Sequence, residues 1–388
     1  MKRLTVLHSC PVWLPQTQTW LYNQVRALPE DIESRVACLR AENLDQFPHP
    51  RLQRFFGGSR WAYRAEALLR RIGLPLQPFW LARIARQRKV SLLHSHFGNM
   101  GWLNLPVARR LGLAHVVTFY GLDVDFLPQQ DGRWHERYRR LFAEADAVLC
   151  EGPHMASRIV ARGCPPAKVQ VHHLGVDLAA LPFRPRLWQP GQPLRVLIAG
   201  AFREKKGIPD ALEALGRLQH DVELEISLIG DAGTEQREGE EKRRILEVIE
   251  RHHLGSRLRL LGFQSHARLL EEAYQHHIFL SPSIHAADGD SEGGAPVAII
   301  EMAATGMAVV STTHCDIPEI ITDQRSGLLA AEGDVSGLVE RLRWLAAHPD
   351  QWQVLALAAR QQFEAEFDMA EQGRRLARLY HQLVEQRG

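Results

Sequence analysis

The chain has 388 residues, which exceeds the size of one ordinary hydrophobic core, so its length predicts two domains. A composition of 45% hydrophobic and 24% charged residues, with a net charge of +2, is typical of a globular protein. No run of roughly 18 apolar residues occurs, and only residues 4–8 follow the amino-terminal charges as an apolar stretch, so we expect neither a membrane-spanning helix nor a signal peptide. Five cysteines without CxxC spacing predict reduced thiols and a cytoplasmic location.

Short apolar runs alternate with helical periodicity along the first half of the chain. The predicted strands are residues 4–8, 36–39, 92–96, 115–119, 147–150 and 169–173, and helices are expected between them, for example over 19–28 and 134–143. This alternation predicts βαβ units around a parallel sheet.

Residues 51–90 form a strongly basic stretch within this half. They contain ten Arg and Lys residues and one acid, Glu66, a local charge of +9. Apolar residues are interspersed among the arginines, a pattern typical of segments that dock on an anionic membrane surface, here the inner face of the cytoplasmic membrane. A solvated basic helix face is the alternative. Nucleic acid is not expected as a partner, since no helix-turn-helix, zinc or RNP pattern is present.

Four prolines within residues 181–193 interrupt the alternation, because proline stops helices and weakens strands. Strands are predicted again at 195–200, 224–230, 258–261, 278–281 and 307–311, and helices over 334–386. We expect an α/β fold of two doubly wound, Rossmann-like domains, residues 1–181 and 194–368, with a linker over 182–193. A C-terminal helix over 369–388 is expected to pack back on the first domain. Ligands of such sheets bind beyond the carboxyl ends of the strands, so two facing edges are expected to form a cleft.

The segment 288–301 carries the most informative motif. Gly293 and Gly294 let the backbone approach a ligand closely, and Pro296 is suited to the first turn of a helix. A helix that starts beside Ala295 offers free N–H groups to phosphate or sugar oxygens. Glu301, farther into this helix, could accept hydrogen bonds from a ribose diol.

This segment resembles the paired-glutamate signature of glycosyltransferase family 4, retaining enzymes of the GT-B fold that include bacterial exopolysaccharide and colanic acid transferases. The resemblance implies that Glu301 holds the donor ribose and that Glu292 lies beside the donor sugar. The family separates its two glutamates by seven residues, whereas eight residues, 293–300, separate them here.

Residues 200–207 resemble the family's Gly-Arg-x-x-x-x-Lys-Gly loop, whose cations bind the donor diphosphate. Lys206 matches its Lys, Ala201 stands at the Arg position, and Arg203 follows two residues later. Cations are needed here because the leaving nucleotide gains negative charge in the transition state. We expect Arg203, Lys206 and Glu292 to form the catalytic set.

Further segments follow in the family's order. Residues 260–263 resemble its base-binding loop and assign Phe263 to the donor, while Gly230 and Ser283 follow strands at the same predicted edge. Residues 311–319, which include His314, resemble its closing segment.

The first domain carries the expected acceptor or sugar contacts. Residues 15–20, with Thr17, resemble a loop of exopolysaccharide transferases, and two further family loops are matched around His96 and around Tyr120 and Asp123. Tyr120 stands where many members have a histidine. A phenol can donate a hydrogen bond but is a poor base near neutral pH, so we expect Tyr120 to bind rather than to abstract a proton.

No metal site and no cofactor are expected. The triplet 288–290 has the DxD pattern of the GT-A fold, but it follows a late strand rather than an early one. The spacings of the histidines at 94, 96, 172 and 173 fit no zinc pattern.

The sequence therefore predicts a retaining, metal-independent hexosyltransferase. It would move a sugar from a UDP- or GDP-linked donor to a glycan acceptor, lipid-linked, in surface polysaccharide biosynthesis. A catalytically silent nucleotide-sugar-binding subunit is one alternative, favoured by the departures at Ala201 and Tyr120, and a GT-B nucleotide-sugar epimerase is another. An NAD-linked dehydrogenase is set aside because neither domain carries GxGxxG after its first strand.

Overall fold

The chain folds into two compact units, each built on one parallel sheet. A computed structural model describes residues 3–15, 18–71 and 75–387. The first unit comprises Met1–Gly175 with Met369–Gly388, and the second comprises Val176–Asp368. Two Rossmann-like domains were predicted, and this architecture is confirmed. Within the described residues, no helix combines the length and the apolar character that crossing a bilayer requires.

The first unit contains a seven-stranded sheet in the order β3-β2-β1-β4-β5-β6-β7. Its strands are β1 Leu4–Trp13, β2 Ile32–Ala41, β3 Leu52–Arg54, β4 Leu92–His96, β5 Ala114–Thr118, β6 Ala147–Cys150 and β7 Val169–Val171. The central strands β4, β5 and β6 are buried along their whole length because helices cover both faces of the sheet. The short strand β3 lies inside the basic stretch and was not predicted, since three residues are too few to show a period of two.

Eight helices of the described chain belong to this unit. They are α1 Thr19–Arg26, α2 Arg60–Arg71, α3 Gln77–Gln87, α4 Gly98–Leu111, α5 Phe126–Gln130, α6 Arg133–Glu144, α7 Pro153–Ala161 and, from the carboxyl end of the chain, α15 Met369–Glu385. Helix α15 packs on the first sheet, as predicted, with Leu376 and Tyr380 in the core beside Val6. Gly373 permits this packing, because a Cβ there would lie 2.0 Å from the carbonyl oxygen of Ala27.

The second unit contains a six-stranded sheet in the order β10-β9-β8-β11-β12-β13. Its strands are β8 Leu194–Ala199, β9 Leu224–Ile229, β10 Leu258–Gly262, β11 Ile278–Ser281, β12 Ala308–Thr312 and β13 Leu328–Ala330. Its helices are α8 Ile208–Leu218, α9 Gln236–Arg251, α10 His266–Gln275, α11 Val297–Ala304, α12 Ile317–Ile320, α13 Val335–Ala347 and α14 Trp352–Glu366. All strand pairs are parallel, so every strand ends at the same edge.

The proline-rich segment 182–193 packs against the second unit. The buried Arg186 guanidinium donates hydrogen bonds to the carbonyl oxygens of Ala273, 2.8 Å, and His276, 2.9 Å. Trp188 stacks on Trp352 with ring centroids 5.9 Å apart. The two units divide between residues 175 and 176. The contacts of Arg186 and Trp188 hold the segment 182–193 to the rest of the second unit.

Candidate functional site

The strand order of the second sheet places a candidate site at its centre. The chain leaves β8 toward β9 on one side, whereas β11 lies on the other side and leads to β12. Loops that leave neighbouring strands in opposite directions open a crevice at the carboxyl edge, where ligands of doubly wound sheets bind. The loops after β8 and β11 flank this point, and they carry the two motifs that the sequence singled out.

A tight turn presents the cations of the first loop. Residues Glu204–Lys206 form one turn of 3-10 helix, and Gly207 follows with φ of +58° before α8 begins. A Cβ at Gly207 would lie 1.9 Å from the carbonyl oxygen of Pro282, so the two loops touch through this glycine. Only glycine allows both the left-handed backbone and this approach.

Lys206 and Glu292 join the two loops by an ion pair. The Lys206 Nζ lies 2.8 Å from one carboxylate oxygen of Glu292 and 3.0 Å from the other. The Ser283 hydroxyl donates a 2.8 Å hydrogen bond to the same carboxylate. Burial alone would raise the pKa of Glu292, but the ammonium groups of Lys206 and Lys205 outweigh it and lower the pKa to about 2. Glu292 is therefore an anion at neutral pH.

A second ion cluster lies directly beside this pair. Arg203 and Lys205 contact the two oxygens of the buried Asp290 carboxylate at 3.0 and 3.2 Å. Arg237, from α9, contacts Asp288 at 2.8 Å. Both carboxylates of the DxD triplet are thus paired with protein cations, which a metal ion would have to displace.

The glycines after Glu292 lead into a short, buried helix. Gly293 adopts φ of +76°, and α11 begins at Val297, one residue after Pro296. Glu301, from this helix, is buried and accepts a 3.0 Å hydrogen bond from His266 Nε2. That hydrogen bond is the main reason why the pKa of His266 is raised. His266 and Glu301 thus form a charge-assisted pair at the start of α10.

A histidine holds the backbone of the segment that carries Glu292. His314 Nε2 accepts a 3.1 Å hydrogen bond from the backbone N–H of Glu292. Its Nδ1 lies 2.8 Å from Glu332, which follows β13. Burial lowers the pKa of His314, so the neutral ring with its proton on Nδ1 fits both contacts. His314 therefore positions the loop before α11.

Two further residues that the sequence assigned to the donor, Gly230 and Phe263, lie at the ends of β9 and β10. Gly230 has φ of +132°, and a Cβ there would lie 1.8 Å from the carbonyl oxygen of Gly200, so it packs two loops together. Phe263 is 46% exposed directly after β10, which leaves its ring available for stacking. Contact of either residue with a donor stays a prediction, as it does for Ala295 and Gly294.

In the first unit, histidines from two neighbouring strands meet at the corresponding point of the sheet. His8 Nδ1 lies 3.1 Å from His96 Nε2, and His96 Nδ1 lies 2.6 Å from the Tyr120 hydroxyl. All three side chains are buried. Burial lowers the pKa of His96 to about 3 and raises that of Tyr120, so the pair is neutral at physiological pH. This supports the expectation that Tyr120 does not act as a base.

The Asp123 side chain is buried in the same unit. Its two carboxylate oxygens accept hydrogen bonds from the backbone N–H groups of Gly98, 2.6 Å, and Tyr120, 2.9 Å. Burial raises the pKa of Asp123 to about 6 despite these donors. The carboxylate therefore holds the start of α4 to the loop after β5, and contact with an acceptor stays a prediction. Thr17 lies outside the described residues.

Sequence reasoning missed four residues of the second-unit site. They are Lys205, His266, His285 and Glu332, which contact Asp290, Glu301, Glu332 and His314, respectively. Lys205 stands next to Lys206, yet nothing in the sequence distinguishes a buried lysine from a solvated one. The Ser265 N-cap of α10 was a usable signal, because it places His266 at a helix start on the carboxyl edge.

Comparison with known proteins agrees with this geometry. Residues 183–362 match the family described as Glycosyl transferases group 1, and residues 17–180 match Glycosyltransferase Family 4. The amylovoran biosynthesis glycosyltransferase AmsK of Erwinia amylovora is 31% identical over 386 residues, which covers 93% of this chain and 92% of AmsK. The chain therefore belongs to the family 4, group 1 glycosyltransferases, and it is an enzyme of that class.

Two further proteins are similar to this chain. WcaL of Salmonella typhimurium, which carries the name of a colanic acid biosynthesis glycosyltransferase, is 31% identical over 306 residues, 77% of this chain and 72% of WcaL. The solved structure of Anabaena HepE in complex with UDP and glucose superposes with a TM-score of 0.79 at 14% identity, over 98% of this chain and 100% of HepE. At that identity the structural likeness shows the fold alone, which is that of the GT-B enzymes.

Proposed function

We propose that this glycosyltransferase moves a hexose from a UDP- or GDP-linked donor to a glycan acceptor, with retention of configuration and without a metal. The observation that carries the proposal is the gathering of Arg203, Lys205 and Lys206 around the carboxylates of Asp290 and Glu292 at the switch point of the second sheet. A nucleotide diphosphate is the leaving group that such a cluster suits, because charge accumulates on it as the sugar bond breaks.

The cations are held ready before the donor arrives. Lys206 and Arg203 are each about one quarter exposed, so both can reach a ligand, while their carboxylate partners are almost fully buried. The buried anions keep the cations in place, and little reorganisation is needed when a diphosphate binds. This arrangement supplies the electrostatic stabilisation that a divalent ion provides in other transferases.

Glu301 and Phe263 are assigned to the nucleoside. The second oxygen of the Glu301 carboxylate is available to a ribose diol, while His266 fixes the first. Phe263 offers an exposed ring for the base at the same edge. The N–H groups of Gly294 and Ala295, and those that follow Pro296 at the start of α11, complete the donor site, and Gly293 provides the left-handed turn before them. HepE, whose fold is similar, has been crystallised with UDP-glucose, which supports a nucleotide sugar as the donor.

We explain retention by attack of the acceptor hydroxyl on the same face of the sugar from which the nucleotide diphosphate departs. Lys206 contacts both oxygens of Glu292 and Ser283 donates to one of them, so we assign this carboxylate to stabilising positive charge on the sugar rather than to covalent attack. The leaving phosphate then accepts the proton of the acceptor hydroxyl. Product of inverted anomeric configuration would refute this part of the proposal.

A lipid-linked acceptor at an anionic membrane surface fits the basic stretch. Helix α2 exposes Trp61 and Leu68, and α3 exposes Phe79 together with Arg83 and Arg86. In α3, residues 79, 83 and 86 share one face, because they are spaced by one and two turns. Other apolar residues of the stretch, Phe55 and Leu81, are in the core. Aromatic and basic side chains on one helix face are typical of interfacial docking.

The biological setting follows from the relatives. AmsK and WcaL carry names of amylovoran and colanic acid biosynthesis, which are syntheses of extracellular polysaccharides. We therefore place the transfer in exopolysaccharide assembly. A catalytically silent subunit or an epimerase would keep the donor site but show no transfer, and an epimerase would convert the donor alone.

A donor panel tests the proposal. Nucleotide sugars are screened by thermal shift, with EDTA present throughout, on the wild type and on Glu301→Ala. A donor at 100 times its dissociation constant should add about 2.7 kcal/mol to the free energy of unfolding. Stabilisation in EDTA that is lost in Glu301→Ala supports the metal-free donor site. Stabilisation that requires a divalent ion, or that persists in the variant, contradicts it.

A further inference from the structure

Two histidines and a cysteine meet beside the segment that carries Glu292. His285 follows β11, and His314 and Cys315 follow β12. One ring nitrogen of each histidine and the Cys315 Sγ all lie within 4.8 Å of one another. His314 Nε2 and Cys315 Sγ lie 3.1 Å apart. His285 is exposed and Cys315 is half-buried, so solvent can reach the cluster.

A single carboxylate orients both imidazoles. Glu332 accepts a hydrogen bond from His285 Nδ1 at 2.9 Å and from His314 Nδ1 at 2.8 Å. In the neutral rings these contacts place the proton on Nδ1 and leave the Nε2 lone pairs unprotonated. Histidines that bind metals are commonly held in this way, with a carboxylate on the nitrogen opposite the ion.

We propose that His285, His314 and Cys315 bind a thiophilic divalent cation, with Zn²⁺ as the probe, and that occupancy of this site inhibits the transferase. Two imidazoles and a thiolate are a ligand set that zinc prefers, and a water molecule would complete the tetrahedron. Magnesium favours oxygen ligands in octahedral geometry and does not fit this set.

Inhibition follows from the second contact of His314. Its Nε2 accepts the backbone N–H of Glu292, and the same lone pair cannot also bind an ion. Binding therefore removes a hydrogen bond that positions the Glu292 loop. Cys315 binds zinc as a thiolate, so binding breaks the S–H bond, forms the S–Zn bond and releases a proton to solvent.

The buried cluster of His8, His94 and His96 in the first unit is a poorer candidate. All three rings are fully buried, whereas His285 of the proposed site is exposed to solvent. Among the contacts of the described residues, no carboxylate orients these three rings. This cluster therefore serves as the competing location in the test.

The test measures zinc binding directly, so it does not depend on finding a donor. Full-length protein, reduced and freed of metal, competes with a chromophoric chelator for Zn²⁺. We expect one ion per chain, weakened at least about tenfold by Cys315→Ala and by His285→Ala, and about 10- to 100-fold by Glu332→Gln. His220→Ala, an exposed histidine outside the cluster, should bind like the wild type, and Mg²⁺ should not compete.

Absence of zinc binding, or binding that both cluster variants retain, overturns the site. Circular dichroism and thermal midpoints establish that each variant is folded. Where a donor supports transfer, Zn²⁺ should inhibit the wild type, and His285→Ala should need about tenfold more zinc for the same inhibition. Equal sensitivity of the two proteins overturns the inhibitory role. The inhibitory role rests on the proposed transfer, whereas the binding experiment stands without it.

Discussion

The Lys206 ammonium lies 2.8 Å from a carboxylate oxygen of Glu292, although 85 residues separate the two in the chain. The contact exists because β8 and β11 are neighbours in the sheet and the loops that follow them meet at one edge. Gly207 allows the close approach of these loops. The ion pair therefore depends on the fold and in turn holds the two loops of the candidate site together.

Removal of Lys206 should damage both transfer and stability. In Lys206→Met, loss of a cation at the leaving diphosphate should lower the transfer rate about 10²- to 10³-fold. The variant also leaves the buried Glu292 anion with fewer donors, which should cost about 1–3 kcal/mol of unfolding free energy.

A double-mutant cycle separates these two effects. Lys206→Met combined with Glu292→Gln should regain stability relative to Lys206→Met alone, without regaining transfer. Lys242→Met, which breaks a half-exposed ion pair with Asp231, is the stability control and should change the unfolding free energy by less than about 1 kcal/mol. Additive stability effects of the two site variants would show that the pair is not coupled.

The depressed pKa of Glu292 predicts an acid dependence of stability. Its pKa falls from 4.5 to about 2 on folding, so the stabilisation is present above pH 4.5 and is lost as the pH falls toward 2. Urea unfolding should show that the wild type loses about 2 kcal/mol more than Glu292→Gln between about pH 5.5 and pH 3. Equal losses of unfolding free energy in the wild type and in Glu292→Gln would contradict a pKa of about 2 for Glu292.

Gly207→Ala should disrupt the donor loop more than a matched glycine substitution. Gly207 needs a left-handed backbone and also lies against Pro282, so alanine should cost about 2–4 kcal/mol of unfolding free energy. Gly191 has φ of +94° but nothing within 4 Å of its Cβ position, so Gly191→Ala should cost only about 1–2 kcal/mol. Chemical unfolding measures the free energy of unfolding of both variants. Equal losses in the two would show that the contact with Pro282 does not constrain Gly207.

Neutralising the exposed basic residues after the first turn of α3 should weaken membrane binding. Each basic residue near an anionic surface contributes about 1 kcal/mol, so changing Arg83, Arg86, Arg88 and Lys89 to glutamine should reduce co-sedimentation with phosphatidylserine vesicles more than tenfold. Arg139→Gln with Arg140→Gln removes two exposed arginines of α6 as the control and should have little effect. If the fourfold variant binds the vesicles as well as the wild type does, the basic stretch is a solvated helix face and not a membrane-docking surface.

Several features of the protein follow from its sequence alone. The alternation of apolar runs with helical periods determined two parallel-sheet domains, because this pattern is local and each strand carries its own signal. The motifs around Lys206, Glu292 and Glu301 identified the candidate site, since glycines, cations and carboxylates at strand ends reflect chemistry that the residue types themselves provide. The strands β3 and β13 were not predicted, because a strand of three residues is too short to show a period of two.

Only the tertiary structure decided which of these residues meet. Lys205 and Lys206 are adjacent in sequence, yet one is buried against Asp290 and the other contacts Glu292 at the edge of the site. Glu332 joins His285 to His314 across two loops. Such contacts depend on strand order and loop geometry, which arise from long-range packing that no local pattern records. The residue types thus determined the chemistry available to this protein, and the sheet decided where each group acts.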